Sequence, residues 1–290
     1  MLVNMREILD DARKHNYAVG CINTPTMDLL RAIVGAAEDV GTPIIIDHAE
    51  VHDPLVPIED IAPYMLDFAR RAKVPVAVHV DHGVDYRFVM RGVRAGFTSV
   101  MYDLSTLPFE ENLARVTEFT TFAHSLDISV EGELGVMTST LHDTHGGPAA
   151  PVDIRATFTD PELAATFAKE SGVDALAVCF GTVHGMYVAE PKLDIEHLAK
   201  LRAAVPEETA LVMHGSSGVD FDQIAQAVKT GATKINYYSY LSAEASRFAG
   251  EMVASADGPV FYHDLTEATT EHIRAKTREL LNVFVNGHAF

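Results

Sequence analysis

Eight short apolar runs rich in β-branched residues recur along this chain, and amphipathic segments separate them. The runs fall at residues 17–22, 42–47, 74–81, 98–102, 128–133, 174–179, 210–214 and 233–236. They lack the apolar/polar alternation of a half-exposed strand, so each reads as a strand covered on both faces. Helical patterns lie at 4–15, 27–40, 58–72, 86–95, 108–126, from 160, at 195–204 and at 221–230, and helices fill much of the rest through 281. Pro108 is expected in the first turn of its helix. Asp160-Pro161-Glu162 starts another, with an N-cap acid, proline at N1 and an early carboxylate. A strand and a helix repeated about every 30 residues predict an α/β fold, a (β/α)8 TIM barrel with extra terminal helices. A doubly wound open sheet is the alternative. No Gly-x-Gly-x-x-Gly follows the first run, which counts against a dinucleotide site. No linker divides the chain, so residues 1–290 are expected to form one domain.

With 48% hydrophobic residues the chain can build a large core, and 22% charged residues argue against disorder. The 22 basic and 41 acidic side chains leave a net charge of −19, with no basic cluster. Such a surface repels nucleic acid and anionic membranes, so neither is expected as a partner. The N-terminal residues lack a signal-peptide apolar core, and no apolar run approaches bilayer length. Cys21 and Cys179 both fall in strand runs, as expected of buried free thiols in a reducing cytoplasm.

In a barrel of this kind the C-terminal strand ends converge on one mouth. Those ends carry Asn23, Asp47 and His48, Asp81 and His82, Asp103, Glu131 and Glu133, His184, His214, and Asn236. A lone histidine at a strand end is commonly satisfied by backbone. Here three histidines, each followed by glycine, meet at one mouth: His82-Gly83, His184-Gly185 and His214-Gly215. Three imidazoles with an open fourth position suit a catalytic zinc. Gly215-Ser216-Ser217-Gly218 and Asn236-Tyr237-Tyr238-Ser239 offer amides and hydroxyls at helix starts, where this barrel commonly holds a phosphate.

Several motifs are shared with a known family. They are His79-Val80-Asp81-His82-Gly83, Tyr102-Asp103-Leu104-Ser105, Val130-Glu131-Gly132-Glu133-Leu134-Gly135, Gly181-Thr182-Val183-His184-Gly185, His214-Gly215-Ser216-Ser217-Gly218 and Lys234-Ile235-Asn236. In these the chain resembles the class II, zinc-dependent fructose-bisphosphate aldolases, nearest their tagatose-bisphosphate branch, over essentially its whole length. The resemblance implies a cytoplasmic lyase that cleaves a ketose phosphate of the 1,6-bisphosphate type to dihydroxyacetone phosphate and an aldehyde. It implies His82, His184 and His214 as zinc ligands and Asp81 as the acid/base at the cleaved bond. Asp103 and Glu133 match acids of a second metal position, and a second divalent ion or a monovalent cation stays open. Gly185, Gly215, Ser217, Asn236 and Ser239 match positions around the ketose phosphate, and Asn23 joins the substrate-binding set. The family is commonly oligomeric, so a homodimer or homotetramer is expected.

The chemistry suits these residue types. Retro-aldol cleavage gathers negative charge on the ketone oxygen, which a divalent ion polarises, while a base takes the proton of the neighbouring hydroxyl. The sequence departs from the family in two places. The family's acidic loop residue is replaced near Leu141, and His142 or Asp143 is the expected substitute base. Tyr237-Tyr238, with His48, Glu50 and His52, is also unlike the common members and bears on which ketose is used. Alternative readings are a Schiff-base aldolase using Lys234, an aldolase for an unphosphorylated or modified ketose, and a catalytically degenerate metal-binding subunit.

Overall fold

The computed structural model describes residues 1–135, 154–187 and 191–290. Eight parallel strands pair in chain order and close into a barrel as the last pairs with the first. They are β1 (Val19–Asn23), β2 (Ile44–Ala49), β3 (Val76–Gly83), β4 (Ser99–Tyr102), β5 (Ser129–Leu134), β6 (Ala175–Val178), β7 (Ala210–Met213) and β8 (Ala232–Asn236). The helices are α1 (Met5–His15), α2 (Met27–Val40), α3 (Ile58–Arg71), α4 (Tyr86–Ala95), α5 (Phe109–His124), α6 (Pro161–Ser171), α7 (Ile195–Ala204), α8 (Phe221–Thr230), α9 (Ser239–Ala254) and α10 (Tyr262–Phe284). This is the expected (β/α)8 barrel with additional terminal helices.

Local chemistry sets the element ends. Thr26 caps α2 through its side chain, and Gly41 ends that helix at φ 83°, a conformation that costs glycine little. Asp160 accepts the Glu162 and Leu163 amides, with Pro161 opening α6. Pro108 is the N-cap of α5 rather than part of its first turn, since its ψ of 144° is extended. β1 starts at Val19, later than expected. The Tyr17 amide is taken by the Ala12 carbonyl and the Ala18 amide by that of Phe284. β2 runs on to Ala49, which brings His48 into the strand.

Two apolar layers form the core. The outer one lies between strands and helices and includes Ile22, Ile46, Val78, Val80, Leu176 and Ile235. The inner one fills the N-terminal half of the barrel with Val19, Cys21, Ile45, Ala77, Met101, Ala177 and Val212. α1 closes that end with Met5, Ile8, Leu9 and Ala12, at helical spacing on one face. Toward the C-terminal half the inward positions turn polar. Asp47, His79, Glu131 and Lys234 are each 0% exposed. Among the described residues no helix is long and apolar enough to cross a membrane.

Candidate active site

A regular strand points successive side chains to opposite faces, yet Asp81 and His82 both serve the mouth. The β3–β4 pairing shifts register between Val80 and Gly83. His82 takes a left-handed φ of 44°, which is uncommon for a residue other than glycine. Such strain persists where the surroundings over-determine it, commonly at functional sites. Gly215, at φ 63°, sits so close to the segment before His184 that an added Cβ would lie 2.4 Å from the Val183 carbonyl oxygen. Glycine there lets the ends of β6 and β7 approach.

The three histidines meet. Their candidate donor atoms all lie within 4.8 Å of one another. Ring centroids are 4.8 Å apart for His82 and His184, 4.6 Å for His82 and His214, and 5.9 Å for His184 and His214. Nδ1 of His82 lies 2.9 Å from Asp103 Oδ2, and Nε2 of His214 lies 2.8 Å from Glu131 Oε1. The opposite nitrogen of each ring is the one an ion would take. Nδ1 of His214 is buried without a hydrogen-bond partner. A carboxylate behind each of two imidazoles is the usual means of orienting a histidine ligand. The donor set fits a divalent ion. A second group, His82, Asp103 and Glu133, has its donor atoms within the same 4.8 Å.

The electrostatics agree. Burial disfavours a charged His82, yet Asp81, Asp103 and Glu133 outweigh it and push the imidazole up to about 10. Carboxylates that hold a proton there would hold a divalent cation in its place. Burial, reinforced by the charges of His82 and Lys234, takes His214 well below its ordinary value and leaves it neutral, as a ligand must be. Burial opposes ionisation of Asp81, but the charges of His82 and Lys234 hold it well below the usual carboxylate range. Asp47 goes the other way, raised by burial and by the neighbouring Asp81 charge. Asn23 bridges the two acids, donating to Oδ1 of Asp47 and, at 3.3 Å, to Oδ2 of Asp81.

Beneath the rim runs a buried polar chain whose role sequence reading missed. Glu131 accepts from Lys234 Nζ at 2.8 Å, Lys234 donates to Asn236 Oδ1 at 2.7 Å, and Asn236 donates to Asp81 Oδ1 at 3.1 Å. The signal was available: Glu131 and Glu133, His79 and Asp81, and Lys234 and Asn236 are spaced by two and share the inward face. The surrounding acids outweigh burial and raise Lys234 well above its ordinary value. An ion-paired, fully buried ammonium is unsuited to Schiff-base chemistry.

A cleft opens above the histidines, and Asn23, Asp81, Gly185, Gly215, Ser217, Asn236 and Ser239 line it with Tyr237 and Tyr238. Ser217 Oγ accepts the Tyr238 amide at 2.9 Å, and Ser239 begins α9. His142 and Asp143 lie outside the described residues.

A closed parallel barrel with three imidazoles, a buried carboxylate and this cavity at its C-terminal rim defines a class: a barrel enzyme with a donor set for a divalent ion. The family described as fructose-bisphosphate aldolase class-II matches residues 3–286. The chain belongs to that family, which is generally metal-dependent, and is an aldolase, a carbon–carbon lyase. The YdjI aldolase from Escherichia coli K12 is 31% identical over 100% of both chains, with a TM-score of 0.86. The fructose-bisphosphate aldolase (Fba) from Campylobacter jejuni is 21% identical, with 99% of this chain and 97% of that one covered. Its TM-score of 0.80 speaks for the shared fold.

Proposed function

We propose that this protein is a zinc-dependent aldolase that reversibly cleaves a ketose phosphate to dihydroxyacetone phosphate and an aldehyde. The convergence of His82, His184 and His214 beside an ionised Asp81 carries the reading. His82, His184 and His214 would hold a zinc ion, which would supply Lewis-acid polarisation of the substrate's ketone. Asp81 takes the proton from the C4 hydroxyl as the C3–C4 bond breaks, and the electron pair stays on C3. Asn23 and Asn236, each bonded to Asp81, fix its carboxylate toward the cavity. The proton that completes dihydroxyacetone phosphate at C3 is assigned to His142 or Asp143. The Gly215–Ser217 turn and the N-terminus of α9 at Ser239 cradle the phosphate, where backbone amides and the helix dipole favour an anion. Asp103 and Glu133 are second metal positions, and the working protein is a cytoplasmic homo-oligomer.

The test is triose release from a panel of ketose phosphates. Activity lost in chelator and restored by Zn²⁺ supports the reading. A zinc-loaded protein that releases no triose and exchanges no C3 proton of dihydroxyacetone phosphate would falsify it. Asp81→Asn should retain zinc while kcat falls about 10²–10⁴-fold, the usual loss of a general base.

A further inference from the structure

The Tyr238 backbone belongs to the proposed phosphate cradle, its amide bonded to Ser217. Its ring goes elsewhere. It meets His52, in the turn after β2, edge-on at 5.1 Å between centroids. The phenol therefore crosses from the end of β8, past β1, toward β2. That is the side on which Asn23 and Asp81 lie, where the aldehyde half of the substrate leaves if Asp81 serves the C4 hydroxyl. His48 and His52 stand close behind, with centroids 6.2 Å apart.

Among the described residues that line the cavity, none is Lys or Arg. Lys234 lies below the floor, fully buried and committed to Glu131 and Asn236. Arg91, on α4, is held by Asp53 and Glu59. Burial takes His48 down to about 4, so it is neutral near pH 7. Residues 136–153 and 188–190 contain no Lys or Arg, and the whole chain carries −19. Behind the Tyr238 ring a second cavity is lined by Thr26, Asp28, Ser242, Ser246 and Thr269, hydroxyls and an acid with no base. Among the described residues, a second phosphate beside Tyr238 would face the Asp81 carboxylate, the Asn23 amide and a phenol. Phosphate binding rests on cations, helix N-termini or stacked amides. Hydroxyl groups suit this wall, since phenol and amide side chains both donate and accept.

We infer that the substrate is a ketose 1-phosphate whose aldehyde half is an unphosphorylated hydroxyaldehyde, and that Tyr238, packed against His52, is the specificity-determining wall at that end. The inference rests on the aldolase reading above and narrows its bisphosphate expectation to a single phosphate. The reaction is the same cleavage: C3–C4 breaks, the C4 hydroxyl proton goes to Asp81, and C3 keeps the electron pair and is protonated.

The experiment runs the zinc-loaded protein in the condensation direction with dihydroxyacetone phosphate, comparing D-glyceraldehyde with D-glyceraldehyde 3-phosphate. Deuterium exchange at C3 of dihydroxyacetone phosphate, without aldehyde, tests the aldolase reading separately. With exchange present, kcat/KM at least tenfold higher for glyceraldehyde supports the inference. Equal values, or a preference for the phosphorylated aldehyde, overturn it and leave the aldolase reading standing. Tyr238→Arg should move the ratio at least tenfold toward the phosphorylated aldehyde, chiefly through its KM. A folded, exchange-competent Tyr238→Arg protein with an unchanged ratio would remove Tyr238 from the specificity role.

Discussion

Asp103 and Glu131 shape the site from behind two of its imidazoles. Each commits one imidazole nitrogen and so selects the tautomer and tilt of a ring. Asp103→Asn should weaken zinc binding about 10–100-fold, measured by competition with a chromophoric chelator. His48 leads to a different expectation. It is 0% exposed, and burial lowers it from the ordinary 6.5 to about 4. Below pH 6.5 the unfolded chain takes up a proton that the folded chain refuses until about pH 4. His48 therefore contributes stability that is present above 6.5 and lost as pH falls between these values. At 1.36 kcal/mol per pH unit the loss approaches about 3 kcal/mol. Replacing His48 with Gln should flatten the decline of Tm between pH 6.5 and 4.5, and an unchanged slope would refute this. Residue types at the rim were legible in the sequence because histidine beside glycine at strand ends is conspicuous. The partners Asp103 and Glu131 were visible as residues, but their pairing joins strands 21 and 83 positions away.

At the scale of elements, Asp160-Pro161-Glu162 made one helix start readable, and the structure adds caps of the same local kind. Thr26 with Gly41, and Asp160-Pro161 with Gly172, state where helices begin and end by local hydrogen bonding alone. Strand ends were less readable. The late start of β1 depends on carbonyls of α1 and α10, and the irregularity near His82 depends on how β4 aligns with β3. No local pattern encodes such pairings. α1 owes its place to its apolar face, with its start fixed by a capping box between Asn4 and Glu7. Leu9 is 2% exposed at the closed end of the barrel, away from the histidines. Leu9→Ala should cost about 2–5 kcal/mol in urea unfolding while kcat at 25 °C stays near that of the parent.

For the whole molecule, closure of the sheet determines what solvent reaches. Cys21 and Cys179 are free thiols, 0% and 2% exposed, and burial raises both. Both should resist a thiol reagent such as dithionitrobenzoate in the folded protein and titrate as two thiols in denaturant. Rapid native labelling of either would contradict the packing. The sequence alone determined the α/β alternation, the eight strands, the capped start at Asp160 and the polar residues at strand ends. Each is a local matter of period, backbone propensity or hydrogen bonding within a few residues. Only the tertiary structure decided that His82, His184 and His214 share one centre, that Lys234 is a buried counter-ion, and that the Tyr238 ring turns toward His52. Those outcomes depend on barrel register and on which charges meet in the interior, and distances across a closed sheet exist only once it has closed.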